Sequence, residues 1–305
     1  LTAFLSYVLQ VPNSGRMFSG AFLQRTRSLA SARRIREVLT EQPDLANAAD
    51  SLETVPNGQI DFEGVSFKYN AAAQKSALSD ITLHIPAGAT VGIIGGTGSA
   101  KTTLVQLIPR LYDATEGTVK VGGRDVRDYD LTALRDAVGI VLQKNLLFSG
   151  TIRDNLKWGN PDAAEEQLWA ACRAAHADEF LDRMPDGLDT DLGQGGVNVS
   201  GGQKQRLCIA RALLKRPRVL VFDDSTSAVD TATESGIRRA LAELTDVTKL
   251  IIAQRISSVQ SADLIVILED GRLHAVGTHA ELLAKDTIYQ EIYYSQMKGG
   301  DPDGK

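Results

Sequence analysis

Ala89 to Leu107, ATVGIIGGTGSAKTTLVQL, constrains the fold of this chain more than any other stretch. An apolar run rich in β-branched residues (Val91, Ile93, Ile94) stops at Gly95-Gly96. A loop of small residues follows, and Lys101-Thr102-Thr103 opens an apolar helix. Strand, loop and helix in that order leave successive backbone N–H groups free to surround a phosphate, with the helix N-terminus adding its positive dipole end. Lys101 is placed to reach β/γ-phosphates and the Thr102 hydroxyl to hold Mg²⁺, the mechanical content of the G-x-x-x-x-G-K-[ST] pattern. Gly95, Gly96, Thr97, Gly98, Ser99, Ala100, Lys101, Thr102 and Thr103 are the candidate phosphate-binding residues. Ala100 departs from the pattern, which asks for Gly there; Ala costs little at negative φ and crowds a phosphate if the backbone comes closest at that point. An ordinary Gly-rich turn is the plainer alternative for the same loop.

The rest of the chain supplies the context. Leu1 to Val11 (LTAFLSYVLQV) carries no charge and is too short to span a bilayer, and Pro12-Asn13-Ser14-Gly15-Arg16 is expected to interrupt it. From Met17 an amphipathic pattern follows, with Phe18, Phe22, Leu29, Ile35, Val38 and Leu39 among Arg25, Arg27, Arg33, Arg34 and Arg36. An apolar start beside a basic cluster reads as the cytoplasmic end of a membrane helix, or as a helix packed on a partner. Glu41 to Gly58 has two prolines and no sustained periodicity and reads as a linker.

From Gln59 the chain is rich in strands: IDFEGVSFKY ending at Tyr69, ALSDITLHIPAG, the Val91 strand, and Gly117 to Val121. Val138 to Leu142 is a buried-type strand ending at Gln143, and Thr151 to Leu181 turns helical. Ser200 is a good N-cap for a helix over Gln203 to Leu214, a second N-terminus open to an anion. Val219 to Phe222 ends in Asp223-Asp224, Lys249 to Ala253 ends at Gln254, and Leu264 to Leu268 ends at Glu269. Strands alternating with helices predict an α/β fold with a mostly parallel sheet. Lys101, Gln143, Asp223 and Gln254 are expected to gather at its carboxyl edge.

Composition excludes some classes of function. A net charge of −5 gives no electrostatic case for nucleic acid as a partner. Cys172 and Cys208 show no metal or redox spacing and read as small apolar residues.

The phosphate loop, Gln143, Val199-Ser200-Gly201-Gly202-Gln203, Asp223 after an apolar strand, and a polar residue after the next strand occur in one order. Together they resemble the nucleotide-binding domain of an ATP-binding cassette (ABC) exporter half-transporter, over about Gln59 to Gln296. The resemblance implies a P-loop NTPase core with a parallel sheet, an antiparallel β-subdomain and a helical subdomain. It implies ATP and Mg²⁺ as ligands, Tyr69 as a base-stacking aromatic (otherwise a core or rim residue), Gln143 facing Mg²⁺ and the membrane domain, and Asp223 as a magnesium ligand beside Thr102. Ser227-Ala228-Val229-Asp230 matches the loop that crosses to a partner. Ser200, Gly201, Gly202 and Gln203 would cover the ATP of a second subunit, since two such domains face each other head to tail. Residues 1–50 resemble the end of a sixth transmembrane helix and its cytoplasmic extension, 51–58 a linker, 59–296 the nucleotide-binding domain and 297–305 a tail. The implied location is the cell membrane, with this domain on the cytoplasmic side.

Two departures fall on the catalytic pair. The family's hydrolytic sites place Glu where Asp224 stands and His where Gln254 stands. Losing a methylene retracts a carboxylate by about 1 Å from the water it must activate. A glutamine donates a hydrogen bond to a γ-phosphate but brings no positive charge. The expectation is an ATPase subunit of a heterodimeric exporter with a weakened site of its own. A homodimer with slow sites, a soluble cassette ATPase acting on nucleic acid or ribosomes, and an ATP-binding module that never hydrolyses are the alternatives.

Overall fold

The computed structural model describes residues 2–70, 72–223 and 231–298. The chain divides into two compact units, Leu1–Ala46 and Asn47–Lys305.

The first unit is built on one helix, α1 (Thr2–Thr40), which runs through Pro12. The expected interruption at residues 12–16 does not occur: one proline removes a single N–H donor, and the helical pattern on either side carries the element past it. The described side chains of α1 are exposed, Phe18, Phe22 and Leu29 among them. No helix among the described residues is long and apolar enough to cross a membrane.

In the second unit the strands are β1 (Ile60–Phe67), β2 (Leu78–Ile85), β3 (Thr90–Ile94), β4 (Glu116–Val121), β5 (Arg124–Asp125), β6 (Val138–Val141), β7 (Val219–Asp223), β8 (Thr248–Ile252), β9 (Leu264–Glu269) and β10 (Arg272–Gly277). The helices are α2 (Lys101–Gln106), α3 (Leu131–Asp136), α4 (Ile152–Lys157), α5 (Glu165–Ala174), α6 (Asp178–Leu181), α7 (Gly201–Leu214), α8 (Thr231–Ala242), α9 (His279–Lys285) and α10 (Thr287–Lys298). An antiparallel sheet has the order β2-β1-β4-β5, and a six-stranded sheet the order β10-β9-β3-β8-β7-β6. In the second sheet only the β9–β10 pairing is antiparallel.

Periodicity separates the two sheets. β2 alternates buried and exposed positions, as a strand with one wet face does, whereas all five residues of β7 are buried, as in a parallel strand covered on both faces. β3 packs so closely that a Cβ on Gly92 would lie 2.5 Å from Val259 Cβ. Leu168, Ala171, Cys172, Ala175 and Phe180 are all buried in one cluster with residues of α4, α7, β6 and β7. Burial pushes the Cys172 thiol up to about 12 and raises that of Cys208, so neither holds an appreciable thiolate at neutral pH.

The stretch read as a linker is docked over part of its length. Leu52 N donates to Asp128 O at 2.8 Å, Val55 is buried, and Gly58 O accepts from Thr248 Oγ1 at 2.7 Å. Thr248 is fully buried and its Oγ1 also accepts from Gly88 N at 2.9 Å. One hydroxyl thus joins three segments far apart in sequence. Thr248→Val keeps the shape and orphans the buried Gly58 C=O and the half-buried Gly88 N–H, so it costs about 2 kcal/mol. A urea unfolding curve with an unshifted midpoint would contradict this.

Candidate nucleotide-binding site

β3, β6, β7 and β8 run parallel and end at one edge. The segments that leave that edge carry Gly95, Gln143, Asp223 and Gln254. Gly95 has φ 154°, and a Cβ there would lie 2.2 Å from Leu268 O and 2.6 Å from Ser99 Oγ, so any side chain would force the loop off the sheet. Gly98 has φ 82°. Lys101 Nζ donates to the carbonyls of Gly95 and Gly96 at 2.9 and 2.8 Å and lies 3.2 Å from Ser99 Oγ. The ammonium is held over the concave side of its own loop.

Thr102 Oγ1 meets both oxygens of Asp223, at 3.1 and 3.0 Å, and Asp223 is buried. A hydroxyl and a carboxylate 121 positions apart in the sequence therefore share one point at the sheet edge. A hard oxygen pair of this kind, beside a phosphate-sized loop, fits Mg²⁺. Thr103 is also buried, and its Oγ1 hydrogen-bonds Tyr69 OH at 2.9 Å.

Tyr69 lies two residues past the end of β1, not at the strand's end as expected. Lys68 N donates to the Thr115 side chain at 3.0 Å, so the chain there bonds to a residue preceding β4 instead of continuing the ladder. The Tyr69 ring is 57% exposed and is held edge-on by Phe67 and Tyr112, with centroids 4.8 and 5.3 Å away. This leaves an aromatic face to solvent. A cavity of about 520 Å³ runs from Tyr69 past Thr103 and Lys101 to Gly98, and Lys75, Asp270 and Gly271 close its other side. Those last three carry no motif and were missed from sequence; the turn between β9 and β10 that contains Asp270 and Gly271 had no signal beyond its glycine.

Ala100 answers the question posed by its sequence. It caps α2 at φ 69°, ψ 26°, in the left-handed region that costs a Cβ-bearing residue about 1 to 2 kcal/mol.

Ser200 caps α7 with a reciprocal box: Gln203 N donates to Ser200 Oγ at 3.3 Å and Ser200 N to Gln203 Oε1 at 2.8 Å. The helix starts at Gly201, and Ser200 and Gly201 are exposed. The preceding loop is built on turns: Asp191 Oδ1 accepts from Gly193 N at 2.6 Å, and Lys204 Nζ reaches Gly195 O at 3.0 Å. Gln143 and Gln254 are exposed beyond the ends of β6 and β8. Asp224 and Ser227 to Asp230 lie outside the described residues.

The family model described as ABC transporter matches residues 78–227. An ABC transporter ATP-binding protein of Bacillus subtilis, YwjA, is 40% identical over 273 residues, which cover 89% of this chain and 47% of that protein. A multidrug efflux ATP-binding/permease protein of Mycobacterium bovis is 42% identical over 264 residues, covering 86% of this chain and 22% of that one. A bacterial Atm1-family ABC exporter solved with ATP bound superposes with a TM-score of 0.83 at 34% identity, over 89% of this chain and 47% of that structure. The chain spans about half the length of the Bacillus relative it matches. The fold is the expected α/β P-loop ATPase, with its parallel sheet and its antiparallel β-subdomain.

The strain at Ala100 is testable on the chain alone. Ala100→Gly removes the left-handed penalty and stabilises the fold by about 1 kcal/mol, read as a higher urea midpoint. A lower midpoint would mean that the Ala100 methyl, which packs on the core, outweighs the strain.

Proposed function

We propose, from the premise that this chain carries the ATP-binding domain of an ABC transporter, that it is the ATP-binding part of an exporter subunit with a weakened hydrolytic site of its own. The observation that carries the reading is the meeting of Thr102 with Asp223 beside a phosphate loop already threaded by Lys101. The relatives named as multidrug efflux ATP-binding/permease protein and Atm1-family exporter support export as the work being driven.

In this reading the loop N–H groups and Lys101 hold the β- and γ-phosphates, and the Tyr69 ring stacks on the base. Thr102 and Asp223 hold Mg²⁺, with Gln143 facing it; when bound, the ion neutralises charge on the phosphate oxygens. Asp224 orients the attacking water from a carboxylate one methylene short, and Gln254 donates to the γ-phosphate without charge. A retraction of about 1 Å can cost on the order of 10²-fold in rate. Ser200 and its neighbours cover the ATP of the partner subunit, so this chain completes a competent site while its own turns over slowly. A heterodimer uses that asymmetry; a homodimer would carry two slow sites.

A specific surface favours a membrane partner over a soluble, nucleic-acid-linked role. Phe148 and Trp158 stack at 4.7 Å and are 47% and 66% exposed. They edge a groove of about 340 Å³ with Leu111 and Arg211. Leu142 and Leu146, just after β6, add exposed apolar surface. This is where a cytoplasmic segment of a transmembrane domain would dock. Read as the end of such a domain, residues 1–50 would put the ATPase at the cytoplasmic side of the cell membrane.

Lys101→Ala removes ATP binding to this chain by calorimetry; unchanged affinity would refute the assignment of the loop. Ser200→Ala or Gly202→Asp leaves that binding intact and lowers turnover of the assembled transporter, and unaltered turnover would refute the trans role.

The asymmetric reading has its own test in steady-state and single-turnover ATPase of the assembled pair. Asp224→Asn changes the rate only modestly, whereas Gln in place of the partner's corresponding glutamate nearly stops it. The double change Asp224→Glu with Gln254→His restores hydrolysis at this site. If Asp224→Asn alone stopped the transporter, Asp224 would be a working base.

A further inference from the structure

We propose that Gln296, near the end of α10, is a positioning residue that fixes where Gln254 stands at the sheet edge, so that the C-terminal helix governs how this site meets a γ-phosphate. The proposal rests on the reading of Gln254 given above and adds a residue that no motif contains.

Beyond Ile252 the β8 segment leaves the sheet, and its backbone groups need other partners. Gln296 supplies two of them with one amide. Its Nε2 donates to Gln254 O at 2.8 Å, and its Oε1 accepts from Ile256 N at 2.9 Å. A carbonyl and an N–H two residues apart are what a neighbouring parallel strand would engage, so the side-chain amide acts as a one-residue extension of the ladder. It pins the backbone on both sides of Arg255.

From the other side α8 holds the same segment. Arg238 Nη1 donates to Ser257 O at 3.0 Å, while Glu234 Oε1 accepts from Arg238 Nη2 at 2.5 Å and from Ser258 Oγ at 3.2 Å. Ile256 is buried at 2% exposure and anchors the middle. Residues 254–258 are thus suspended between α8, which follows the segment containing Asp224, and α10. A cavity of about 500 Å³ bordered by Arg255, Ser257, Tyr293 and Met297 opens beside the contact with α10. Apolar packing of Ala253, Ile256 and Val259 with Tyr289 and Ile292 holds α10 against the segment, and the Gln296 amide adds a directional polar link that carries the position of the helix to the backbone of Gln254.

The variants separate the two halves of the amide. Gln296→Ala removes both bonds. Gln296→Glu keeps an acceptor for Ile256 N–H and sets a carboxylate oxygen against Gln254 O, which is repulsive. The full chain is titrated calorimetrically with Mg-ATP and with Mg-ADP, alongside Gln254→Ala, and exchange of the amides at 255–257 is followed by mass spectrometry.

The expected result is an ATP affinity weakened about five- to tenfold in Gln296→Ala, and more in Gln296→Glu, with ADP affinity within about twofold and faster exchange at 255–257. Gln254→Ala is expected to show the same selective loss. If Gln254→Ala is selective and the Gln296 variants are not, the positioning role is overturned and the role of Gln254 stands. If Gln254→Ala leaves the ATP-to-ADP ratio unchanged, the reading of Gln254 falls and this proposal with it. Parallel losses for both nucleotides would reduce Gln296 to a stabilising contact and overturn the proposal.

Discussion

A parallel sheet buried on both faces delivers all its strand ends to one edge, and the second unit of this chain depends on that constraint. β3 lies between β8 and β9, with β7 beyond β8, so the residues leaving β3, β7 and β8 converge whatever their distance in sequence. The close approach of Gly92 to Val259, and of Gly95 to Leu268 O, lets the phosphate loop rise from the centre of that edge. Thr102 and Asp223, 121 positions apart, then meet through the topology. The chemistry of the edge is set by single residues, but their meeting is set by the apolar runs beneath them.

Those runs are why so much was legible in the sequence. VGII, VLVF, KLII and LIVIL are fully apolar or nearly so, and each forms the strand expected of it. Ser200 with Gln203 is readable as a cap because both partners lie within one turn. What escaped the reading involves contacts that no local pattern encodes. The docking of Gly58 depends on Thr248, 190 residues away, and the clamp on Gln254 comes from a helix 42 residues downstream. The placement of Tyr69 beyond its strand follows from Lys68 N bonding to the Thr115 side chain, which propensity does not foresee. Pro12 marks a helix break locally, yet the helix on either side is long enough to pass it.

Ala100 belongs to a different category. Its residue type argued for negative φ, and the structure holds it at 69°. The loop is fixed at one end by Gly95 against the sheet and at the other by α2, whose Thr103, Leu104 and Val105 are buried. With both ends set, residue 100 closes the turn in the left-handed region, and the packing of α2 offsets the strain. Such strain persists where surrounding structure over-determines a residue, and it concentrates at functional loops.

The two helix N-termini of the constellation are built to different standards, and the difference bears on what one chain can do alone. The loop before α2 is braced from within: Lys101 bonds to Ser99, Thr102 to Asp223 and Thr103 to Tyr69, so the side chains around it are organised within this chain. At α7 the Ser200 and Gln203 side chains complete each other's cap, while Gly201 stands exposed and carries no side chain to reach outward. A cap that needs no ligand to be stable can wait for one on another molecule. That division, an internally bonded loop at one helix and an outward-facing cap at the other, is what the half-site architecture proposed above requires of a single chain.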